Sequence, residues 1–116
     1  MKKIIILIPV FNDWESLIKL IKEINETIKD YSSIHFECLV VNDASTVNQP
    51  NLVKPNNIKS LQILNMKKNK GHARCNAFGI RYVFKNKEFN NLILMDGDGE
   101  DRPIEIKNLV NEILKN

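Results

Sequence analysis

The chain has 116 residues, of which 17 are Lys or Arg and 14 are Asp or Glu. This length suits one domain with a single core, predicted to span residues 1–116. The formal charge of +3 is mild and, judged from composition, dispersed, which argues against a nucleic-acid partner. No apolar run nears the roughly 20 residues that cross a bilayer. Two cysteines without a paired framework fit a reducing compartment, so we expect a cytoplasmic protein.

The first predicted element is a buried strand, because residues 4–8 are continuously apolar and mostly β-branched. Pro9 is expected to end it. Asn12 or Asp13 then caps a helix, with Glu15 three residues after Asn12 as in a capping box. The apolar face of this helix is formed by Trp14, Leu17, Ile18, Ile21, Ile24, Ile28 and Tyr31.

Three further strands are predicted, near residues 36–41, 60–64 and 92–95. The polar stretch at 46–57, between the second and third strands, carries no strong helix signal. Because strands and helices alternate elsewhere, we expect an α/β fold with a doubly wound, mostly parallel sheet. The predicted strand order is 3-2-1-4, as in a Rossmann-like nucleotide-binding half.

Two more helices complete the predicted fold. One runs from His72 to about Asn86, and the other begins at Pro103, a residue favoured in the first helical position. The buried face of the first is expected to be Ala73, Ala77, Ile80 and Phe84. The buried face of the second is expected to be Ile104, Leu109, Val110, Ile113 and Leu114.

An acidic loop follows the fourth predicted strand, with Asp96, Asp98, Glu100 and Asp101 placing four carboxylates in six positions. Hard carboxylate oxygens suit Mg²⁺ or Mn²⁺, and Mg²⁺ is commonly held by one or two carboxylates together with substrate phosphates. A solvated acidic turn ahead of a helix is the alternative reading, since carboxylates favour the positive end of the helix dipole. The basic run at 66–70 is likewise open between a solvated loop and a phosphate contact.

The position of this loop favours a ligand site. In doubly wound sheets, ligands bind beyond the carboxyl ends of the strands, where the strand order reverses. With the order 3-2-1-4, that point lies between the first and fourth strands. The predicted crevice is therefore bordered by residues 9–12 and 96–101, with Asn42 and Asp43 on the neighbouring strand.

Other phosphate and metal sites fit less well. The acidic loop begins like a calcium EF-hand, but Asp101 and Lys107 stand where that loop needs Gly and Glu. Neither GxxxxGK[ST] nor GxGxxG occurs in the sequence, which excludes a P-loop and argues against a dinucleotide-binding dehydrogenase. A receiver domain needs its acidic pair after the first strand, and a sugar nucleotidyltransferase needs a glycine-rich basic loop there. Residues 9–12 provide neither.

Short motifs follow the first, second and fourth predicted strands and lead into the second predicted helix. They are Ile8-Pro9-Val10-Phe11-Asn12, Val41-Asn42-Asp43-Ala44-Ser45, Asn69-Lys70-Gly71 before residues 73–79, and Asp96-Gly97-Asp98. In this order they resemble the family 2 glycosyltransferases, over essentially all 116 residues. The resemblance implies an inverting glycosyltransferase of the GT-A fold that uses a nucleotide-diphosphate sugar. The continuation at 99–103 is similar to the polyprenyl-phosphate sugar transferase branch.

The resemblance also implies roles on the nucleotide side of the site. Pro9, Phe11 and Asn12 would border the base, and Asp43 would contact the base or ribose. The family usually has an acidic residue before this aspartate, whereas this chain has Asn42, so base recognition is expected to differ in detail.

On the diphosphate side, the resemblance implies a basic contact and a metal. Lys70 would contact the nucleotide, Asp96 would face the ribose or the metal, and Asp98 would hold an Mg²⁺ or Mn²⁺ ion that bridges the diphosphate. His72 and Arg74, at the start of the second helix, are expected to be solvated rather than in contact with ligand.

The family's general base lies downstream of the acidic loop, so no catalytic residue is assigned within residues 1–116. We expect the donor-binding part of a longer GT-A domain, which binds a UDP- or GDP-linked sugar for an unidentified acceptor. Association of copies along an exposed sheet edge is expected, as is peripheral attachment at the inner face of the membrane through a further C-terminal part. The alternative is a non-catalytic module that uses the same fold to bind a nucleotide or a partner chain.

Overall fold

A computed structural model describes residues 2–96 and 103–115 of the chain. Strands and helices follow one another as β1 (Lys2–Val10), α1 (Trp14–Ile28), β2 (Ile34–Asn42), β3 (Ser60–Asn65), α2 (His72–Asn86), β4 (Asn91–Leu94) and α3 (Pro103–Lys115). The long connection between β2 and β3 contains neither helix nor strand, as its composition predicted. The predicted start of the last helix at Pro103 is confirmed.

All four strands are parallel and lie in the order β3-β2-β1-β4, which confirms the predicted sheet. In the centre, Ile4 of β1 pairs with Phe36 of β2 on one side and with Asn91 of β4 on the other. β1 is continuously apolar because helices cover both faces of a parallel sheet. No helix in the described parts of the chain combines the length and apolar character needed to cross a bilayer.

The two faces of the sheet bury different side chains. Ile4, Ile6 and Ile8 of β1 face α1 and α3, and together they form the larger core. Ile5 and Leu7 face the other way, toward α2. Helices on both faces make the sheet doubly wound, as predicted.

Pro9 does not end the first strand, contrary to the sequence prediction. It lies within β1 and pairs with Val41. The reason is the direction of its missing N–H. Val10 accepts a hydrogen bond from Asp43 N (2.9 Å) toward β2, whereas Leu7 accepts one from Met95 N (3.0 Å) toward β4. The backbone of Pro9 points toward the β4 side, as that of Leu7 does. β4 pairs with β1 only as far as Leu7, so the proline ring displaces no hydrogen bond between strands.

At the start of α1, one of the two predicted caps is confirmed. Asp13 is the N-cap, and its Oδ1 accepts a hydrogen bond from Ser16 N at 3.2 Å. The capping box between Asn12 and Glu15 is therefore wrong. Asn12 instead adopts a left-handed conformation with φ of 64° and uses its side chain elsewhere. That conformation is tolerated by Asn far better than by most residues.

The predicted buried face of α2 is wrong. The helix buries Cys75, Gly79 and Val83, whereas Ala73, Ala77 and Phe84 are exposed and Ile80 is half-buried. Gly79 determines which face of α2 packs against the sheet, because a Cβ at this position would lie 2.6 Å from Leu7 Cδ1 and 2.9 Å from Val41 Cγ2. Close approach of helix and sheet selects glycine over the larger apolar residues.

The predicted buried face of α3 is correct only in part. Val110 is fully buried and Ile113 packs against the core, but Ile104, Leu109 and Leu114 are exposed. Ile106 is fully buried and was not predicted. Residues 106, 110 and 113 are spaced by four and three positions, which is the stripe that one face of a helix presents.

Candidate functional site

A pocket of about 270 Å³ opens at the carboxyl ends of β1 and β2, at the start of α2. We call it the first pocket. It is lined by Pro9, Val10, Phe11, Asp13, Asp43, Asn69, Gly71, His72 and Cys75. It thus includes Pro9, Phe11 and Asp43 from the predicted nucleotide side. The topology brings these residues together at the edge where doubly wound sheets bind ligands.

Asp43 is the buried acid of the first pocket, with only 4% of its surface exposed. Its Oδ1 accepts a hydrogen bond from Lys70 N at 2.8 Å, and its Oδ2 accepts one from Gly71 N at 3.0 Å. Its carbonyl oxygen accepts a further bond from Asn69 Nδ2 at 3.2 Å. This aspartate therefore fixes the turn that leads into α2. Each carboxylate oxygen can accept about two hydrogen bonds, so both keep capacity toward the pocket.

Asn12 joins the loops that follow β1 and β2. Its Oδ1 accepts hydrogen bonds from Thr46 N (2.7 Å) and Val47 N (3.0 Å), and its backbone N donates to Ser45 Oγ (2.8 Å). Asn42 supports the same loop, since its Oδ1 accepts from Ser45 N and Ser45 Oγ. Asn12 does not line the first pocket in this structure. Its observed contacts hold the rim in place.

A second pocket, of about 280 Å³, lies between the end of β4 and the start of α2. It is lined by His72, Asn76, Leu94, Met95 and Asp96. His72 lines both pockets, and its Nε2 pairs with Asp96 Oδ1. The two pockets therefore meet at this histidine. Its side chain is exposed, as predicted, but its position beside both pockets was not predicted.

The second pocket contains oxygen donors of the kind that divalent metals prefer. Asp96 contributes a half-buried carboxylate. Asn76 contributes a buried Oδ1 that has no hydrogen-bond partner within the described parts of the chain. Those parts hold no cluster of three or more His, Cys, Asp or Glu side chains suited to a metal. Asp96 and Asn76 fit a hard cation that takes its other oxygens from phosphate and water. Asp98 lies outside the described residues.

Lys70 contacts the first pocket's acid through its backbone, because its N donates to Asp43 Oδ1. Lys70 also lines a separate groove of about 410 Å³. That groove is lined by Asn65, Met66, Lys67, Lys68, Lys70 and Phe78. A contact between the Lys70 ammonium and a nucleotide in the first pocket stays a prediction.

Cys75 lines the first pocket, and its position alone would suit a nucleophile. Burial, and next the nearby Asp43 carboxylate, raise the pKa of its thiol to about 12. Its Sγ donates to Val41 O at 3.5 Å. A protonated thiol is a poor nucleophile, so Cys75 is a packing residue.

The sequence predicted no site role for three residues of this region, Asn69, His72 and Asn76, although Asn69 and Asn76 stand within one of the motifs. Their signal was weak, because each is a single polar residue at or near the start of a helix. His72 and Asp96 are remote in sequence, and they meet only because the fold places the start of α2 beside the end of β4.

Comparison with known proteins identifies the family to which this fold belongs. The family model described as glycosyl transferase family 2 matches residues 5–116. An uncharacterized protein of the archaeon Methanocaldococcus jannaschii is 24% identical over 112 residues, which cover 94% of this chain and 46% of that protein. The chain thus spans about half the length of this relative. Because the family model covers nearly the whole sequence, the chain belongs to glycosyl transferase family 2.

Proposed function

We propose that the first and second pockets together bind the nucleotide diphosphate of an activated sugar, which the protein uses as donor in glycosyl transfer. The observation that carries the proposal is the meeting of the two pockets at His72, with Asp43 on one side and Asp96 on the other. Family membership supports transfer of a sugar as the reaction. Two adjoining pockets suit a ligand with separate base and diphosphate ends.

The first pocket would take the nucleoside. Phe11 lies on its rim with 47% of its surface exposed and offers an apolar face to a base. Asp43 would accept a hydrogen bond from the base or a ribose hydroxyl, because its oxygens keep acceptor capacity. Pro9 closes the floor without a polar group that would need a partner.

The start of α2 would take the diphosphate. Gly71 is the N-cap and has no side chain with which to cap the helix. The first N–H groups of α2 therefore remain suited to an anion, and the helix dipole favours negative charge there. His72, in the first turn, could donate a hydrogen bond to the same phosphates.

Asp96 and Asn76 would hold Mg²⁺ or Mn²⁺ beside the diphosphate, with Asp98 as a further ligand by resemblance. When bound, such an ion offsets the negative charge that develops on the departing nucleotide diphosphate. The contact between His72 Nε2 and Asp96 Oδ1 would hold this carboxylate beside the start of α2. The UDP or GDP carrier, the similarity to the polyprenyl-phosphate branch and the cytoplasmic location stay predictions.

Isothermal titration calorimetry tests this proposal. The chain is titrated with UDP and with GDP, each with and without Mn²⁺. We expect one of the two nucleotides to bind and Mn²⁺ to tighten binding. If neither nucleotide binds in the presence of Mn²⁺, the donor site is refuted.

Two variants separate the metal from general charge effects. Asp96→Asn should reduce the affinity in Mn²⁺ to its value without the ion. Asp30→Asn removes the same charge from a different surface, where Asp30 pairs with Lys107 at 3.5 Å, and should leave the titration unchanged. Equal effects of the two variants would contradict the role given to Asp96.

A further inference from the structure

The positive charge of the chain is concentrated in one stretch. Residues 44–87 contain nine of the 17 Lys and Arg and no Asp or Glu, so all 14 acidic residues lie outside it. The expectation of dispersed charge, drawn from composition, is therefore wrong. The net charge of +3 conceals a strongly basic segment within an otherwise acidic chain.

Helix α2 presents part of this charge on its outer face. Arg74, Arg81 and Lys85 are exposed, and their spacing of seven and four residues places them on one side of the helix. Cys75 and Val83 occupy the opposite side, against the sheet. Three cations thus form a row that points away from the rest of the fold.

Two phenylalanines flank this row. Phe78 is 38% exposed and Phe84 is 69% exposed. Phe84 packs edge-on against Phe89, with ring centroids 5.1 Å apart and an interplanar angle of 81°. Beyond Phe78 lies the groove whose wall includes Lys67, Lys68 and Lys70. Exposed phenyl rings and cations therefore share one surface, which we call the basic face: Lys67, Lys68, Lys70, Arg74, Phe78, Arg81, Phe84 and Lys85.

We propose that the basic face docks on an anionic phospholipid bilayer. Cations beside exposed aromatic rings on the outer face of a helix are the composition that binds membrane interfaces, where the cations meet lipid phosphates and the rings enter the boundary of the acyl chains. A flat bilayer can contact the whole helix face at once. Duplex nucleic acid would satisfy the cations but offers no apolar layer for two phenyl rings on opposite flanks of the cation row. Single-stranded nucleic acid can stack its bases on exposed rings, so it is the competitor that the test below uses.

Docking in this way would orient the donor site. Helix α2 begins at His72, which lines both pockets. A chain that lies with α2 along the bilayer therefore holds the mouths of these pockets near the lipid surface. The docking proposal does not depend on which ligand those pockets bind. The docking proposal and the proposed donor site can therefore fail separately.

Flotation with lipid vesicles tests the proposal. The chain is mixed with vesicles of phosphatidylcholine alone or with phosphatidylglycerol as the minor component. We expect flotation only with phosphatidylglycerol, and a decrease as salt is raised because salt screens surface charge. Equal flotation with both vesicles, or none with either, would overturn the proposal.

Variants locate the surface. Arg81→Gln with Lys85→Gln should lower the partition coefficient about 25-fold, since each cation near the surface is worth about a fivefold change. The matched control, Lys19→Gln with Lys22→Gln, removes the same charge from exposed positions on α1, on the other face of the sheet, and should have little effect. Equal losses in the two double variants would show that net charge, not the basic face, drives binding.

Two further measurements separate the membrane from nucleic acid. Phe78→Ala leaves the net charge unchanged and should still weaken flotation, because it removes an inserted ring. Thermal unfolding followed by circular dichroism confirms that each variant is folded. An oligonucleotide of single-stranded RNA should not displace the chain from anionic vesicles. An unaltered partition of Phe78→Ala, or displacement by RNA, would overturn the proposal in favour of a purely electrostatic or nucleic-acid-binding surface.

Discussion

Two buried carboxylates, one toward each end of β2, have different hydrogen-bond partners. Glu37, near the start of β2, is 8% exposed, and Asp43, just after its end, is 4% exposed. Glu37 meets cationic or ionisable side chains: Lys3 Nζ at 2.9 Å, His35 Nε2 at 2.8 Å and Lys87 Nζ at 3.3 Å. Asp43 meets the neutral backbone amides of Lys70 and Gly71.

The difference in partners indicates that Glu37 has a structural role, whereas Asp43 is suited to ligand binding. The cations around Glu37 balance its charge locally, and they join β1, β2 and the end of α2. The amides around Asp43 fix its position but leave its charge directed at the first pocket. A buried acid is thus a candidate for ligand contact when its partners are neutral and a cavity lies beside it, rather than because it is buried.

The largest expected effect is the loss of Glu37. Glu37→Gln leaves Lys3 and Lys87 without their counter-charge, and we expect the free energy of unfolding to fall by about 3 kcal/mol, less than for a fully buried pair because both lysines are partly exposed. Denaturant unfolding measures the change. Glu26→Gln, which breaks the exposed pair with Lys29, is the control and should cost under about 1 kcal/mol. A loss of nucleotide affinity in Glu37→Gln would erase the distinction between the two acids.

The same carboxylate gives a pH dependence. Burial alone would raise the pKa of Glu37, but hydrogen bonds from Lys3, His35 and Lys87 outweigh it and lower the pKa from 4.5 to about 2. Because the folded pKa is depressed, the stabilisation is fully present above pH 4.5 and is lost as the pH falls toward 2. The stability difference between wild type and Glu37→Gln, measured at several pH values, should shrink by about 3 kcal/mol over this range. A constant difference would show that Glu37 is not held as an ion.

Asp43→Asn is expected to have a smaller effect on stability but to affect binding. The amide keeps one acceptor oxygen and turns an NH₂ group toward either Lys70 N or Gly71 N, which leaves that donor unpaired. We expect a loss of about 2 kcal/mol in the free energy of unfolding and weaker binding of UDP and GDP. Unchanged nucleotide affinity in a folded Asp43→Asn variant would place the ligand elsewhere.

Asn12 tests how far the rim of the first pocket depends on its loop contacts. Asn12→Gly keeps the left-handed backbone accessible but removes the bonds to Thr46 and Val47, and should cost about 1 kcal/mol. Asn12→Ala should cost somewhat more, because alanine is strained at φ of 64°. Thermal unfolding of the two variants separates these contributions. Equal stability of both variants would mean that backbone strain is negligible here.

The order of the strands and the edge that carries the candidate site were predictable from sequence. Alternating apolar strands and amphipathic helices left few topologies, and polar residues such as Asp43 and Asp96 follow strand ends directly. A parallel doubly wound sheet then brings them together without further information.

What the sequence could not show depends on distances between elements. The hydrophobicity of Phe84 favoured one face of α2, but the close approach of Gly79 to Leu7 selected another. Pro9 stays within β1 only because β4 ends early on that side. The ion pairs of Glu37 could not be predicted from its apolar strand, because Lys3 and Lys87 are remote in sequence.

The assignment of ligand binding to the Asp43 edge is tested most directly by nuclear magnetic resonance. Amide signals of the ¹⁵N-labelled chain are followed as UDP or GDP is added with Mg²⁺. We expect shifts for Phe11, Gly71 and His72, and unchanged signals for Lys3, Glu37 and Lys87. Shifts that centre on Glu37, or no shifts with either nucleotide at high concentration, would contradict the assignment.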